Sequence, residues 1–212
     1  MSPLAPEVFV VDDDIAFCVA LSRLIRAAGY RVQTFGAATE LLESDHLKDA
    51  HCLVLDVYLP DLTGLELQQR IAELQIDLPI VFITGRGDIP MSVRAMKAGA
   101  LEFLQKPFDD EALIEAIRQG IGRSQSTRSA AEQRAGLEQR YQSLTPRERQ
   151  VFALVVRGLL NKQIAGELGT AERTVKLHRG QVMRKMAAPS VPDLVRMAEQ
   201  LSIHLPEGAK RN

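Results

Sequence analysis

Cysteine is scarce: Cys18 and Cys52 are the only two in 212 residues. Two thiols, one in an expected helix and one in an expected strand, are too few for a disulfide framework or a cysteine zinc site. Both are expected as core thiols in a reducing cytoplasm. Histidine is nearly as sparse, and the spacing of His46, His51, His178 and His204 matches no zinc motif. No apolar run approaches the roughly 18 residues that cross a bilayer. Met1 to Val11 also lacks the basic segment followed by a long apolar one that marks export. A cytoplasmic protein without membrane insertion is expected. Internal repeats and low-complexity tracts are missing too.

Net charge is small, −1, but it is unevenly spread. Up to Gly122 there are 10 basic and 19 acidic residues; after it there are 16 basic and 8 acidic, so the halves carry −9 and +8. Opposite halves point to different partners, with the basic one a candidate for nucleic acid. Composition is otherwise that of a globular protein, 46% hydrophobic and 25% charged, which excludes disorder of the whole chain.

Short β-rich runs alternate with amphipathic stretches in the first half. Glu7 to Val11 and Tyr30 to Phe35 flank a helical pattern from Ile15 to Ala28 that ends at Gly29. His51 to Leu55, Ile80 to Thr84 and Leu101 to Leu104 follow, with helices opening near Gly64, Pro90 and Asp109. Five strands alternating with five helices predict an α/β fold, a doubly wound parallel sheet of order 2-1-3-4-5. The segment 122–143 is poor in large apolar residues and is expected as a linker, with helix as the alternative to an extended chain. Beyond it only short helices are expected. Thr145-Pro146-Arg147-Glu148 is a capping box with proline at the first helical position, and Gly158 closes that helix. Helices follow from about Asn161 to Leu168, from Glu172 to about Met186 and from Pro192 to about Ile203. The expected division is 1–121, linker 122–143, an all-α domain 144–206 and a tail 207–212.

In a doubly wound sheet, chemistry sits beyond the carboxyl ends of the strands, and the acidic residues fall there. Asp12, Asp13 and Asp14 follow strand one; Asp56 follows strand three. Carboxylates sharing one small site repel, and a hard divalent cation with oxygen ligands relieves that repulsion. Mg2+ is the expected ion, with Asp13 and Asp56 as direct ligands and Asp12 acting through water. Thr84 ends strand four and Lys106 follows strand five. Cation, ammonium and hydroxyl together would offset the oxygens of a phosphoryl group on the carboxylate of Asp56, the expected nucleophile. Each residue alone has a plain structural explanation, as a cap, a strand threonine or a solvated lysine. Their combination at four strand ends is specific.

Residues 7 to about 121 resemble the receiver domain of two-component response regulators, most closely the FixJ-type branch. The matching text is Val10-Val11-Asp12-Asp13-Asp14, Leu55-Asp56 with Leu59-Pro60-Asp61 and Gly64, Ile83-Thr84-Gly85, Ala95 to Ala100, and Phe103 to Phe108. The resemblance implies phosphorylation of Asp56 by a cognate sensor histidine kinase, dependence on Mg2+, a metal ligand in the backbone carbonyl of Tyr58, and a cis Lys106–Pro107 bond. It also implies that Thr84 and Phe103 act as a switch pair. Met91, Val93, Met96 and Ala100 are then candidates for a dimer contact. Asp14 stands where many relatives have glutamate and is expected only as a helix cap.

Helix, glycine-containing turn and helix form the layout of a helix-turn-helix, whose second helix enters the major groove. Arg173, Thr174, Lys176, His178, Arg179 and Gln181 supply phosphate partners and base-edge donors there, while Val175 and Val182 have core spacing. Residues 144 to about 203 resemble the LuxR-type domain that ends FixJ and NarL relatives, carried by Gly158 to Ala165, Leu168-Gly169 and Arg173 to Arg179. By that resemblance Lys176, Leu177, His178 and Arg179 face DNA, Asn161 and Lys162 hold the DNA backbone, and Leu194, Val195 and Met197 offer a dimer surface. Two departures stand out: Gly180 inside the recognition helix, and the proline-flanked run Ala187 to Pro192.

The expected whole is a phosphorylation-dependent transcriptional regulator rather than an enzyme. It dimerises when Asp56 is phosphorylated, binds double-stranded promoter DNA and, in the manner of many relatives, activates transcription with RNA polymerase as a partner. Two other readings remain: a magnesium-dependent phosphohydrolase with an aspartyl nucleophile, for which no substrate-sized cap is present, and a receiver whose helical tail binds protein or RNA.

Overall fold

The computed structural model describes residues 5–85 and 89–203; His204 and the expected tail 207–212 lie outside them. By contact the chain divides into two compact units, Met1–Arg128 and Ser129–Asn212.

In the first unit, β1 (Glu7–Val11), β2 (Arg31–Phe35), β3 (Cys52–Asp56), β4 (Ile80–Thr84) and β5 (Glu102–Gln105) form one parallel sheet in the order β2-β1-β3-β4-β5. β3 and β4 are buried at every position because both of their faces are covered. Side chains alternate with period two. Phe9, Leu53, Leu55 and Phe82 pack in one core, and Val8, Val10, Cys52, Val54, Val81 and Ile83 in the other. The crossovers are α1 (Ile15–Ala27), α2 (Ala38–Glu43) with a 3₁₀ turn at Leu47–Asp49, α3 (Gly64–Glu73) and α4 (Ile89–Lys97); α5 (Asp110–Gln142) follows β5.

Local chemistry sets the helix starts. Asp14 caps α1, its carboxylate accepting from the Phe17 amide, so the third acidic residue is a cap. Ala37 cannot cap α2. That task falls to Asp61, which accepts from the amides of Ala38 and Thr39 at 3.2 and 2.7 Å. Thr63 and Glu66 form a reciprocal capping box for α3.

The segment expected as a linker is helical as far as Gln142, continuous with the last helix of the first unit. Gly120 belongs in this helix for a packing reason: a Cβ there would stand 2.8 Å from Cys52 Sγ. Two turns further on, Arg128 donates to the carbonyls of Lys48 and Ala50, both at 2.6 Å. Arg128 thereby ties the helix to the segment that leads into β3.

The second unit holds the last turns of α5 together with α6 (Pro146–Val156), α7 (Asn161–Glu167), α8 (Glu172–Met186) and α9 (Val191–Gln200). The few apolar residues of the α5 tail enter its core: Leu137 is buried, and the Tyr141 ring packs edge-on against Phe152 with centroids 5.3 Å apart. Val151, Phe152, Ile164, Val175, Val182, Met186 and Leu194 fill the centre. Glu148, in the capping box of α6, is buried and paired with Lys185 of α8 at 2.6 Å. Ala187 ends α8 in the left-handed conformation, φ 54°, a position that helices commonly give to glycine. No helix of the described residues is long and apolar enough to cross a membrane.

Candidate functional site

Parallel pairing brings four strand ends together. Asp56 is in register with Ile83 and Thr84 with Gln105, and the Lys106 amide donates to the Thr84 carbonyl at 2.7 Å. Asp12, Asp56 and Thr84 are buried there, while Asp13 is exposed. Gly64 makes this compactness possible, since a Cβ at that position would stand 2.4 Å from the Asp56 carbonyl oxygen. The Lys106–Pro107 bond is cis.

Carboxylate oxygens of Asp12, Asp13 and Asp56 all lie within 4.8 Å of one another. Lys106 Nζ reaches Asp12 Oδ2 at 2.6 Å and Asp56 Oδ2 at 3.3 Å, and lies 4.0 Å above the centre of the Phe17 ring. Asp56 is also held by the Tyr58 amide, which donates to its Oδ1 at 3.3 Å. Burial pushes the Asp56 carboxyl above its ordinary range; Lys106 opposes that shift and Asp12 reinforces it. Burial likewise works against the charge of Lys106, but its hydrogen bond to Asp12 and its proximity to Asp56 hold the ammonium above its usual value. One ammonium shared between two carboxylates leaves two of the three negative charges uncompensated. Hard divalent cations hold oxygen ligands at roughly 2.0–2.6 Å, so ligands of a single ion stand within about 4–5 Å of one another. Hard oxygen donors at this spacing, with two charges left to offset, fit a divalent metal ion.

Phe103, the other half of the expected switch pair, is half-buried on β5 and packs against Phe82 with ring centroids 6.2 Å apart. Of the four residues expected at a dimer contact, Val93 and Met96 are exposed. Met91 and Ala100 instead pack against the core, because their side of the α4 region faces the sheet. Gln68 was not singled out in the sequence. Its buried amide donates to the carbonyls of Ala95 and Ala98, tying α3 to the end of α4. A polar residue on the inner side of an amphipathic helix is the signal that could have found it.

In the second unit Arg173, Lys176 and Leu177 of α8 are exposed and Thr174, His178, Arg179 and Gln181 half-exposed, while Val175 and Val182 are buried. Lys162 is exposed at the start of α7. Asn161, expected to hold the DNA backbone, accepts at 2.9 Å from Arg179 Nη1 through its side-chain oxygen. Leu194 is fully buried in the core, which removes it from the dimer surface expected on α9; Val195 and Met197 are partly buried.

A doubly wound sheet with this acidic pocket, followed by a helix-turn-helix unit, defines a two-component transcriptional regulator. Two family profiles match: "Response regulator receiver domain" over residues 8–118 and "Bacterial regulatory proteins, luxR family" over 142–198. The chain belongs to the response regulators with a receiver domain and a LuxR-type DNA-binding domain. It is 51% identical to Nodulation protein W of Bradyrhizobium diazoefficiens, over 92% of this chain and 86% of that one. It is 40% identical to the transcriptional regulatory protein FixJ of Rhizobium meliloti, over 90% and 94%. Among solved structures, the response regulator StyR superposes with a TM-score of 0.86 at 51% identity, covering 92% of this chain and 99% of that one. Full-length FixJ from B. japonicum gives 0.56 at 38% identity, covering 94% and 98%.

Proposed function

We propose that Asp56 is the phosphoacceptor and that its phosphorylation controls DNA binding by α8. The observation that carries this reading is the cluster of Asp12, Asp13, Asp56 and Lys106 at the ends of neighbouring strands, with Thr84 beside it. Asp13, Asp56 and the Tyr58 carbonyl would hold Mg2+, with Asp12 acting through water; the ion supplies charge neutralisation for an incoming phosphoryl group. A carboxylate oxygen of Asp56 attacks phosphorus as the phosphorus–nitrogen bond to the kinase histidine breaks, and the imidazole leaves with the bonding electron pair. Lys106 and the Thr84 hydroxyl bind the oxygens of the aspartyl phosphate. Thr84 and Phe103 then change position together and reshape the surface carrying Val93 and Met96.

The receiver occupies about 1–121 and the DNA-binding domain about 144–206, with 122–143 between them. Phosphorylation favours a homodimer that reads two half-sites in promoter DNA. Arg173, Thr174, Lys176, Leu177, His178 and Gln181 meet the groove, and Lys162 and the Asn161–Arg179 pair the flanking backbone. Shifting such a switch from 1:99 to 99:1 takes about 5.5 kcal/mol, within reach of a phosphoryl group with charge-assisted bonds and a dimer interface. The protein acts in the cytoplasm as an activator in contact with RNA polymerase and not as an enzyme.

The test is intact mass after incubation with Mg2+ and a small phosphodonor. Wild type gains one phosphoryl group, hydroxylamine removes it, and Asp56→Ala gains none. Equal uptake by Asp56→Ala would overturn the assignment.

A further inference from the structure

Gly180 sits in the middle of α8, although glycine is the poorest helix former after proline. A Cβ at Gly64 or Gly120 would collide with a neighbour, and Gly29, Gly99, Gly158 and Gly169 have positive φ; the helical Gly122, Gly136 and Gly166 meet neither condition, and what sets Gly180 apart from them is the cation-lined groove it faces beside an exposed leucine. Neither reason applies at Gly180. Its φ lies outside the left-handed region, and a Cβ built there would meet nothing within 4 Å. The protein's own packing therefore makes no demand for glycine here.

The space above Gly180 is part of an open groove of about 650 Å³, lined by Arg173, Thr174, Lys176, Leu177, Gln181 and Arg184. Three of those six side chains are cationic. Leu177, one turn before the glycine, is 64% exposed, while Val175, Val182 and Met186 of α8 are fully buried and Met183 partly so. Bare Cα and exposed leucine thus form an apolar notch within a cationic rim. The rim suits a polyanion; the notch suits an apolar group carried by that polyanion at short range.

We infer that Gly180 is a specificity-determining position: it lets the backbone of α8 approach the base edges closely and, with Leu177 as the wall, seats the 5-methyl group of a thymine. Thymine is the one base whose major-groove edge carries an apolar group. An amino or carbonyl edge placed here would lose its water and gain no partner from leucine or Cα. The inference rests on the DNA-binding reading of α8 proposed above.

The test starts from a duplex selected by phosphodonor-treated full-length protein from a randomised pool. That duplex is resynthesised with deoxyuridine replacing each thymidine in turn. One replacement per half-site is expected to weaken wild-type binding about fourfold, the worth of one buried methyl group. Leu177→Ala is expected to bind the two duplexes equally. Gly180→Ala is expected to raise Tm by about 4 °C, through better helix propensity, while lowering affinity at least tenfold. A purely structural glycine would give the higher Tm with affinity unchanged. That result, or deoxyuridine tolerated at every position, overturns the inference while leaving DNA binding intact. If wild type selects no duplex at all, the DNA reading falls and takes the inference with it. Lys176→Ala serves as the control, weakening thymidine and deoxyuridine duplexes alike.

Discussion

Lys106 stands closer to Asp12 than to Asp56, 2.6 Å against 3.3 Å. The only cation at the acidic cluster among the described ion pairs is thus committed first to a carboxylate that is 1% exposed, and only secondarily to the expected phosphoacceptor. Lys106 offsets one of the pocket's three negative charges and holds the Asp56 oxygen less tightly than that of Asp12. Its removal should be felt as stability before it is felt as chemistry.

Lys106→Ala leaves Asp12 and Asp56 buried without a counter-charge, and breaking a buried pair from one side costs about 3 kcal/mol. The expected result is a lower Tm. Millimolar MgCl2 should restore more of it in the variant than in wild type, because a more negative pocket binds the cation more tightly. A melting temperature equal to that of wild type, or insensitive to Mg2+, would count against the geometry.

Glu148 links pH to the stability of the second unit. Burial alone would raise its carboxyl, but the hydrogen bond from Lys185 and those from Thr145 outweigh it and hold Glu148 below its ordinary value of 4.5. A depressed carboxyl contributes stability that is fully present above its unfolded value and is lost as pH falls through the folded one. Glu148→Gln should therefore cost about 2 kcal/mol at pH 7, the worth of a charged hydrogen bond, and progressively less below pH about 4.5. Melting curves against pH check this, and a constant difference across the range would refute it.

Asn161 aims Arg179 through the 2.9 Å hydrogen bond between them. Arg179→Ala should weaken binding to all duplexes and lower the salt slope of log K by about one, as loss of a single phosphate contact requires. Asn161→Ala should weaken binding in the wild-type background and add little to Arg179→Ala. Additive effects would mean that Asn161 touches DNA independently.

Ala187 holds the left-handed C-terminal position of α8 at φ 54°. Glycine adopts that conformation without the Cβ penalty, so Ala187→Gly should raise stability by about 0.5–1 kcal/mol even after the added freedom of the unfolded chain. An unchanged or lower Tm would show that the proline-flanked connection compensates in another way.

Much of this was legible in the residues. Strand periodicity identified the sheet, and charged residues at strand ends marked the pocket, because both depend on local order along the chain. Long-range relationships were not legible. Nothing near Ala37 signals that Asp61 caps α2 from 22 residues away. The run 122–143 is too poor in apolar residues to announce a packed helix, yet Leu137 and Tyr141 are spaced to reach one core and Arg128 finds two carbonyls at the other end. Leu194 and Ala100 fit the pattern of an amphipathic surface equally well as that of a core, and only tertiary packing decides between them.

The most direct measurement of the central claim is the affinity of full-length protein for its selected duplex, with Mg2+ present and a small phosphodonor added or withheld, for wild type and Asp56→Ala. Phosphodonor should tighten wild-type binding at least tenfold and increase its cooperativity across two half-sites, with no change in Asp56→Ala. Equal affinities in wild type with and without phosphodonor would contradict control through Asp56.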